Sequence, residues 1–274
     1  TRDFLVTLLL PKKTNIVLEL HSIPQSKFLF HKSLGKIKKF VVLTSFIKNK
    51  LMEFGVPSER ILVCPSGVDL PGKPVRIDEN IPNISKGDFV YGYIGTLKTM
   101  GMEKGVADSL LALKLLSSDY KFLVVGGEPE DIAFYKDMSK TLGVSQRVSF
   151  VGKVPGPQIY AYSLFCNVLV APFPKNEHYS FFMSPLKIFE YMASKRPIIA
   201  TDLPSLREVL IHGVNAVLVP PGDPQALANA IIGVREHIEY ARHLADQAFI
   251  DVSEKYTWSR RVKNILDFLK NGNH

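Results

Sequence analysis

The chain has 274 residues, 46% hydrophobic and 22% charged, a balance that fits a soluble globular protein of about two domains and excludes a low-complexity or fibrous chain. No run reaches the roughly 18–20 apolar residues of a membrane span, since FLVTLLLP is broken by Thr7 and ends at Pro11. The net charge of +8 sits mostly at the front, where residues 1–70 carry 11 Lys and Arg against 5 Asp and Glu.

The chain opens on Thr1 without a signal-peptide pattern, which predicts a cytoplasmic protein. NIVLEL, KFVVLTS and RILVCPSG look like the last strands of an α/β unit with too few strands to be complete. Between them HKSLGKIKKF (31–40), with Lys48 and Lys50, is either a solvated basic face or a peripheral contact with anionic lipid on the inner face of a membrane. Its lysines are not interleaved with aromatic residues and no nucleic-acid motif is present, so nucleic acid is not expected as a partner. Cys64 and Cys166 lie in apolar runs with no metal-spaced neighbour and read as buried free thiols. Residues 71–86, rich in Pro and charge, form the natural linker between 1–70 and the remainder of the chain.

From residue 87 a rhythm sets in. FVYGYIG (89–95), KFLVVGG (121–127), RVSFVG (147–152), VLVAPFP (168–174), PIIATD (197–202) and AVLVPP (216–221) are strand candidates, each followed by a helical pattern. Strands apolar on both faces imply a parallel sheet covered by helices on each side, so a doubly wound Rossmann-like domain is predicted over 87–255. Ligands of such sheets bind beyond the carboxyl ends of the strands.

The helix SPLKIFEYMASK (184–195) starts at that edge. Ser184 suits an N-cap, Pro185 the first helical position, and Leu186 opens the apolar set. Ser184, Lys187 and Glu190 are spaced by three and form one polar stripe. An anion at the helix start would meet backbone N–H groups and Lys187, and Glu190 one turn deeper could accept two hydrogen bonds from a vicinal diol such as a ribose. A solvated Lys187–Glu190 ion pair is the competing reading. Lys104 and Gly105 open another helix on the same edge, after Gly95 and Thr96, and Gly126 and Gly127 end a strand where a ligand can approach the backbone. No G-x-G-x-x-G, P-loop or D-x-D is present, which argues against a dinucleotide, ATP or a metal-held diphosphate. His212, His237 and His243 read as surface residues.

In this order and spacing, YIGTLKTMGMEKGV, FLVVGGEPED, RVSFVGKVP, SPLKIFEYMASKRPIIATDLPSLREVL and NAVLVPPGDPQALANAI resemble the nucleotide-binding domain of retaining GT-B glycosyltransferases of the family 4 type (glycosyl transferases group 1). TSFIKNKLMEFGVPSERILVCPSGVDL resembles the end of that family's N-terminal domain. The resemblance implies a sugar-nucleotide donor, a UDP-, GDP- or ADP-sugar, held by the C-terminal domain, with no other cofactor or metal. A glycan or lipid-linked acceptor would lie across the cleft. Glu190 matches the second glutamate of the E-x7-E motif, which binds the ribose hydroxyls, and Lys104 matches the lysine on the donor diphosphate. His21 in LELHS looks like the N-domain histidine that reaches the donor sugar, and Val154 falls where the backbone meets the base.

Three departures stand out. Phe182 occupies the position of the first glutamate, leaving Glu177 or His178 to supply its contact. Thr96 stands where an arginine usually follows the first glycine, and Lys187 is the expected replacement. The first half of the N-terminal domain is missing, so a fragment is expected, with 256–274 as a terminal helix returning to the front unit. The expected activity is metal-independent transfer of a hexose with retention, in polysaccharide or glycolipid synthesis. The alternatives are a sugar-nucleotide epimerase of the same fold and a non-catalytic nucleotide-sugar-binding module.

Overall fold

The computed structural model describes residues 3–11, 13–99 and 101–270. The front unit runs α1 (Phe4–Leu9), β1 (Ile16–Leu20), α2 (Lys27–Leu34), β2 (Ile37–Val42), α3 (Ser45–Glu53) and β3 (Ile61–Val63), with the strands parallel in the order β1-β2-β3. Their inward residues Leu18, Phe40 and Val42 join Phe30 and Ile47 in a core of this unit's own.

After an extended stretch come β4 (Phe89–Ile94), a hairpin of β5 (Lys98–Thr99) and β6 (Met102–Glu103), α4 (Val106–Leu115), β7 (Tyr120–Val125), α5 (Pro129–Thr141), β8 (Val148–Gly152) and α6 (Gly156–Phe165). The second half of the unit runs β9 (Val168–Ala171), a π-helical turn (His178–Phe182), α7 (Leu186–Ala193), β10 (Ile198–Thr201), α8 (Pro204–Arg207), β11 (Val217–Val219), α9 (Pro224–Glu236) and α10 (Ile238–Lys255). All six expected strands are there and all are parallel, in the order β11-β10-β9-β4-β7-β8. Apolar side chains leave both faces of this sheet, so it carries one core on each side, as a parallel sheet sheathed in helices requires. The strand order reverses between β4 and β9, and the carboxyl ends of those two strands are where open sheets of this kind form their binding crevice.

The strands stop short of several expected ends, because the residues beyond them turn away. Gly95, Gly126 and Gly127 take φ of 135°, 108° and 94°, outside the range an L side chain adopts readily. Cys64 and Cys166 are buried and unpaired.

α11 (Trp258–Lys270) lies against the front unit: Arg261 donates to the Pro65 carbonyl at 2.9 Å and to Glu19 Oε1 at 3.1 Å, and Lys39 donates to the Phe268 and Leu269 carbonyls. The rest of the expected terminal segment, 271–274, lies outside the described residues. The two units also meet at the π-helical turn. Thr44 caps α3 and donates to the Phe181 carbonyl at 2.7 Å, Ser45 N–H donates to Glu208 at 2.8 Å, and Phe46 stacks on Phe181 with ring centroids 4.5 Å apart. No described helix is long and apolar enough to cross a membrane.

Candidate functional site

Three elements converge on the crevice at the end of β4. The first is α4, which follows β4 through the hairpin. Gly105, its N-cap, has φ 89° and no side-chain cap, and a Cβ on it would lie 1.7 Å from the Pro172 carbonyl oxygen after β9. Only glycine lets the start of α4 press against the end of β9, and no cap side chain takes the first backbone N–H groups of the helix. Lys104, just before it, donates to Thr96 Oγ1 at 2.7 Å, and burial pulls its pKa below the usual lysine value.

The second element is α7, which packs across the end of β4. The Tyr191 hydroxyl accepts from Ile94 N–H at 2.8 Å and donates to the Ile94 carbonyl at 3.1 Å, clamping the last residue of the strand. One turn earlier Lys187 lies beneath Gly95, where an added Cβ would come within 3.2 Å of its Cε and 3.4 Å of its Nζ. The Lys187 side chain is buried, its Nζ has no hydrogen-bond partner among the described residues, and it sits 3.3 Å from the centroid of the Tyr93 ring and 5.4 Å from that of Phe173. Burial first, and the charge of Lys104 second, push its pKa well below the usual value, with Glu190 opposing. A solvated ion pair on an exposed face is thus excluded for this residue. The ammonium is enclosed in a cage of rings, a favourable but weak substitute for water.

Glu190 is largely buried and its pKa is raised by that burial, with Lys187 pulling the other way. It accepts no hydrogen bond among the described residues, and lines a cavity of 570 Å³ together with Val68, Lys73, Pro157, Tyr160 and Ala193. Val154 precedes α6, which supplies another wall of that cavity, and is half-buried against the core on this face.

The third element is the pair of glycines after β7. Gly126 N–H donates to the Gly152 carbonyl at 2.6 Å, and a Cβ on Gly126 would lie 2.3 Å from the Gly95 carbonyl oxygen. These contacts knit the ends of β4, β7 and β8 into one floor.

One expectation is corrected here. Ser184 does not cap α7: the helix begins at Leu186 with Pro185 in the N-cap position and no side-chain cap, while Ser184 Oγ accepts from Ser66 N–H of the front unit at 2.9 Å. A serine next to an interdomain strap is better used as a tie than as a cap, so the N–H groups that open α7 stay unsatisfied by side chains. Leu186 is half exposed. His21 is fixed in the front unit, with Nε2 2.8 Å from Glu19 Oε1, a carboxylate that also holds Arg261. Among the described residues no hydrogen bond or ion pair links it to Lys104, Lys187 or Glu190.

Phe182 turns away from the crevice and packs edge-on against Phe46 of the front unit, centroids 5.2 Å apart. His178, at the other end of the same turn, has its pKa lowered by burial and by Lys104, which places it near that cation. Sequence reading missed Tyr93, Phe173 and Tyr191, the residues that build the lysine cage and clamp β4. The only available signal was Tyr191 four residues after Lys187, on the same helix face.

Residues 88–237 match the family model described as glycosyl transferases group 1. An uncharacterized glycosyltransferase of Methanocaldococcus jannaschii is 24% identical over 229 residues, which cover 79% of this chain and 55% of the relative. The phosphatidyl-myo-inositol mannosyltransferase of Mycobacterium leprae is 28% identical over 199 residues, covering 68% and 50%. The chain thus spans about half the length of these curated relatives. Among solved structures, sucrose-phosphate synthase from Thermosynechococcus elongatus superposes with a TM-score of 0.78 at 21% identity, over 98% of this chain and 71% of that one. Anabaena HepE in complex with UDP superposes at 0.71 and 21%, over 94% and 73%. The fold is that of the GT-B glycosyltransferases, and with the family model covering more than half its length the chain belongs to the glycosyl transferases group 1 family.

Proposed function

We propose that this chain carries the donor side of a glycosyltransferase that moves a hexose from a nucleotide-diphosphate sugar to a glycan or glycolipid acceptor, with retention and without a metal. The observation that carries the reading is the Lys187 ammonium, buried beneath Gly95 at the switch point of the sheet with no hydrogen-bond partner among the described residues. A fold bears the cost of such a group where a ligand completes it. A diphosphate in the crevice would face Lys187, Lys104 and the open N–H groups of α4 and α7, which supply the countercharge that a departing nucleoside diphosphate develops. This is the basis for metal independence. Glu190 would take the ribose diol, and the cavity between it and Tyr160 would take the base, with Gly126, Gly127 and Val154 along the floor.

With Phe182 turned to the front unit, His178 is the residue on that turn positioned toward the donor sugar. His21 would approach from the front unit only when the donor is bound. HepE has been solved with UDP and with UDP-glucose, so UDP-sugars are the first donors to test, ahead of GDP- and ADP-sugars. The test is calorimetric titration with UDP, GDP and ADP, each with and without a chelator. Chelator-insensitive binding of one of the three, lost in Lys187→Met and in Lys104→Ala, is expected. Binding that needs added divalent metal, or that ignores both lysines, would overturn the reading.

A further inference from the structure

The segment that joins the two units runs along the cavity beside Glu190, and it is fastened at both ends. At the front end Val68 N–H donates to the Tyr256 carbonyl at 3.0 Å, and the Val68 carbonyl accepts from Trp258 N–H at 3.2 Å. At the far end Asn83 Nδ2 donates to the Val148 carbonyl at 2.9 Å, and Ser149 Oγ donates to the Pro82 carbonyl. Between these anchors, residues 69–77 make no hydrogen bond or ion pair among the described residues. Pro71 and Pro74 fix φ there and remove two backbone donors, which favours an extended path with no ladder to hold it.

This strap and two helices enclose the 570 Å³ cavity. The strap contributes Leu70 and Val75, 43% and 42% exposed in the empty protein, α6 contributes Pro157 and Tyr160, and α7 contributes Glu190. The volume lies within the roughly 300–1,000 Å³ of pockets that take small ligands. Apolar and aromatic walls around one carboxylate that accepts no hydrogen bond among the described residues suit a flat, weakly polar ring attached to a diol. A nucleoside has that form. Two apolar side chains on a strap that nothing else holds then have a surface to cover.

We propose that the interdomain linker is itself a wall of the nucleoside site, with Leu70 and Val75 packing on the base that Tyr160 and Pro157 meet from α6. The proposal rests on the donor-site reading, which puts the ribose at Glu190, and it adds residues that lie outside the family match over 88–237. The segment that connects the two units is then also a segment that the donor touches. Binding orders it, and the freedom it loses opposes the apolar contact it gains.

The test is calorimetry with UDP, GDP and pyrophosphate, together with tryptic cleavage of the linker after Arg76. Saturation with UDP or GDP, whichever the chain binds, should slow that cleavage severalfold, and pyrophosphate should not. The pair Leu70→Ser and Val75→Ser should lower affinity for that nucleotide about tenfold or more. It should leave pyrophosphate affinity and melting temperature as in the parent, because both side chains are exposed when the site is empty. If the pair keeps parental nucleotide affinity while Glu190→Gln loses it, the linker is no wall of the site and the donor-site reading stands without it. If both keep it, the cavity does not hold the nucleoside and both readings fall. An equal loss for pyrophosphate would also overturn the proposal, because the pair would then act through the fold and not through the base.

Discussion

The sharpest consequence of the site is that Lys187 harms the empty protein. Its side chain is buried, its Nζ has no hydrogen-bond acceptor among the described residues, and Lys104 repels it, against which stand the Tyr93 ring at 3.3 Å, the Phe173 ring at 5.4 Å and the pull of Glu190. Lys187→Met keeps an unbranched side chain, one atom shorter, and removes the charge. Replacing a buried ionic group by a packed apolar one commonly gains about 1–4 kcal/mol. A desolvated cation–π contact is worth about 2 kcal/mol and is forfeited in the same change. The difference spans a loss of about 1 to a gain of about 2 kcal/mol, and the upper end applies because Nζ has no acceptor among the described residues, so a gain of up to about 2 kcal/mol is expected, or up to roughly 8 °C at about 2–4 °C per kcal/mol.

The pH dependence comes from the depressed pKa. Below the folded-state value, both folded and unfolded chains carry the proton and the penalty is fully present. Between that value and the ordinary 10.5, the unfolded chain holds a proton that the folded chain lacks, so stability of the parent rises with pH and the advantage of Lys187→Met shrinks. The same substitution should lower UDP affinity, and cost roughly two to three decades of turnover in an assembled enzyme. Melting curves across pH and calorimetry with UDP test both. A variant with parental melting temperature and parental UDP affinity would show that Nζ reaches water and that no ligand depends on it.

Glu190→Gln should weaken UDP binding about tenfold or more, since a charge-assisted hydrogen bond is worth about 1.5–3 kcal/mol, while leaving pyrophosphate binding unchanged; an equal loss for both ligands would move Glu190 off the ribose. Gly105→Ala forces a side chain into a left-handed φ and against the Pro172 carbonyl, so urea unfolding should show a loss well above the roughly 1 kcal/mol of an ordinary helix-end glycine, and a neutral result would mean α4 does not press on β9 as described. Phe46→Ala removes both aromatic contacts to the π-helical turn, each worth about 0.5–1.5 kcal/mol beyond burial, and should speed proteolysis within 71–86; an unchanged cleavage rate would mean the hydrogen bonds of Thr44 and Ser45 hold the units together without it.

The sheet was legible because its strands are apolar on both faces, a pattern that periodicity reads directly, and because each is separated from the next by a helical stretch. Strand ends were less so. Gly95, Gly126 and Gly127 continue the apolar runs in sequence, and only their positive φ angles show that they belong to the crevice. Ser184 looked like a cap because Ser-Pro before an apolar helix is a good cap pattern. Its actual acceptor role serves Ser66, distant in sequence, and no local rule carries that information. The enclosure of Lys187 was equally hidden. Its cage is made by Tyr93 on β4 and Phe173 after β9, which meet only because strand order reverses between those two strands.

That reversal also explains why a threonine suffices at position 96. Where the resemblance places an arginine, Thr96 gives a hydroxyl to receive the Lys104 ammonium, so the loop after β4 positions a cation without carrying one. The second cation comes from α7, and it arrives buried. A cation in the loop would be hydrated when the site is empty and would have to shed that water for a ligand. Lys187 has already lost its water, so its attraction for an anion acts at low dielectric with little reorganisation. The cost is borne in the empty protein, by the cage of rings and by the Tyr191 clamp that keeps α7 on the end of β4. Loosening that clamp without touching charge, as in Tyr191→Phe, should therefore let Lys187 reach water: its pKa would rise toward the ordinary value and UDP affinity would fall, although no group facing the ligand had changed.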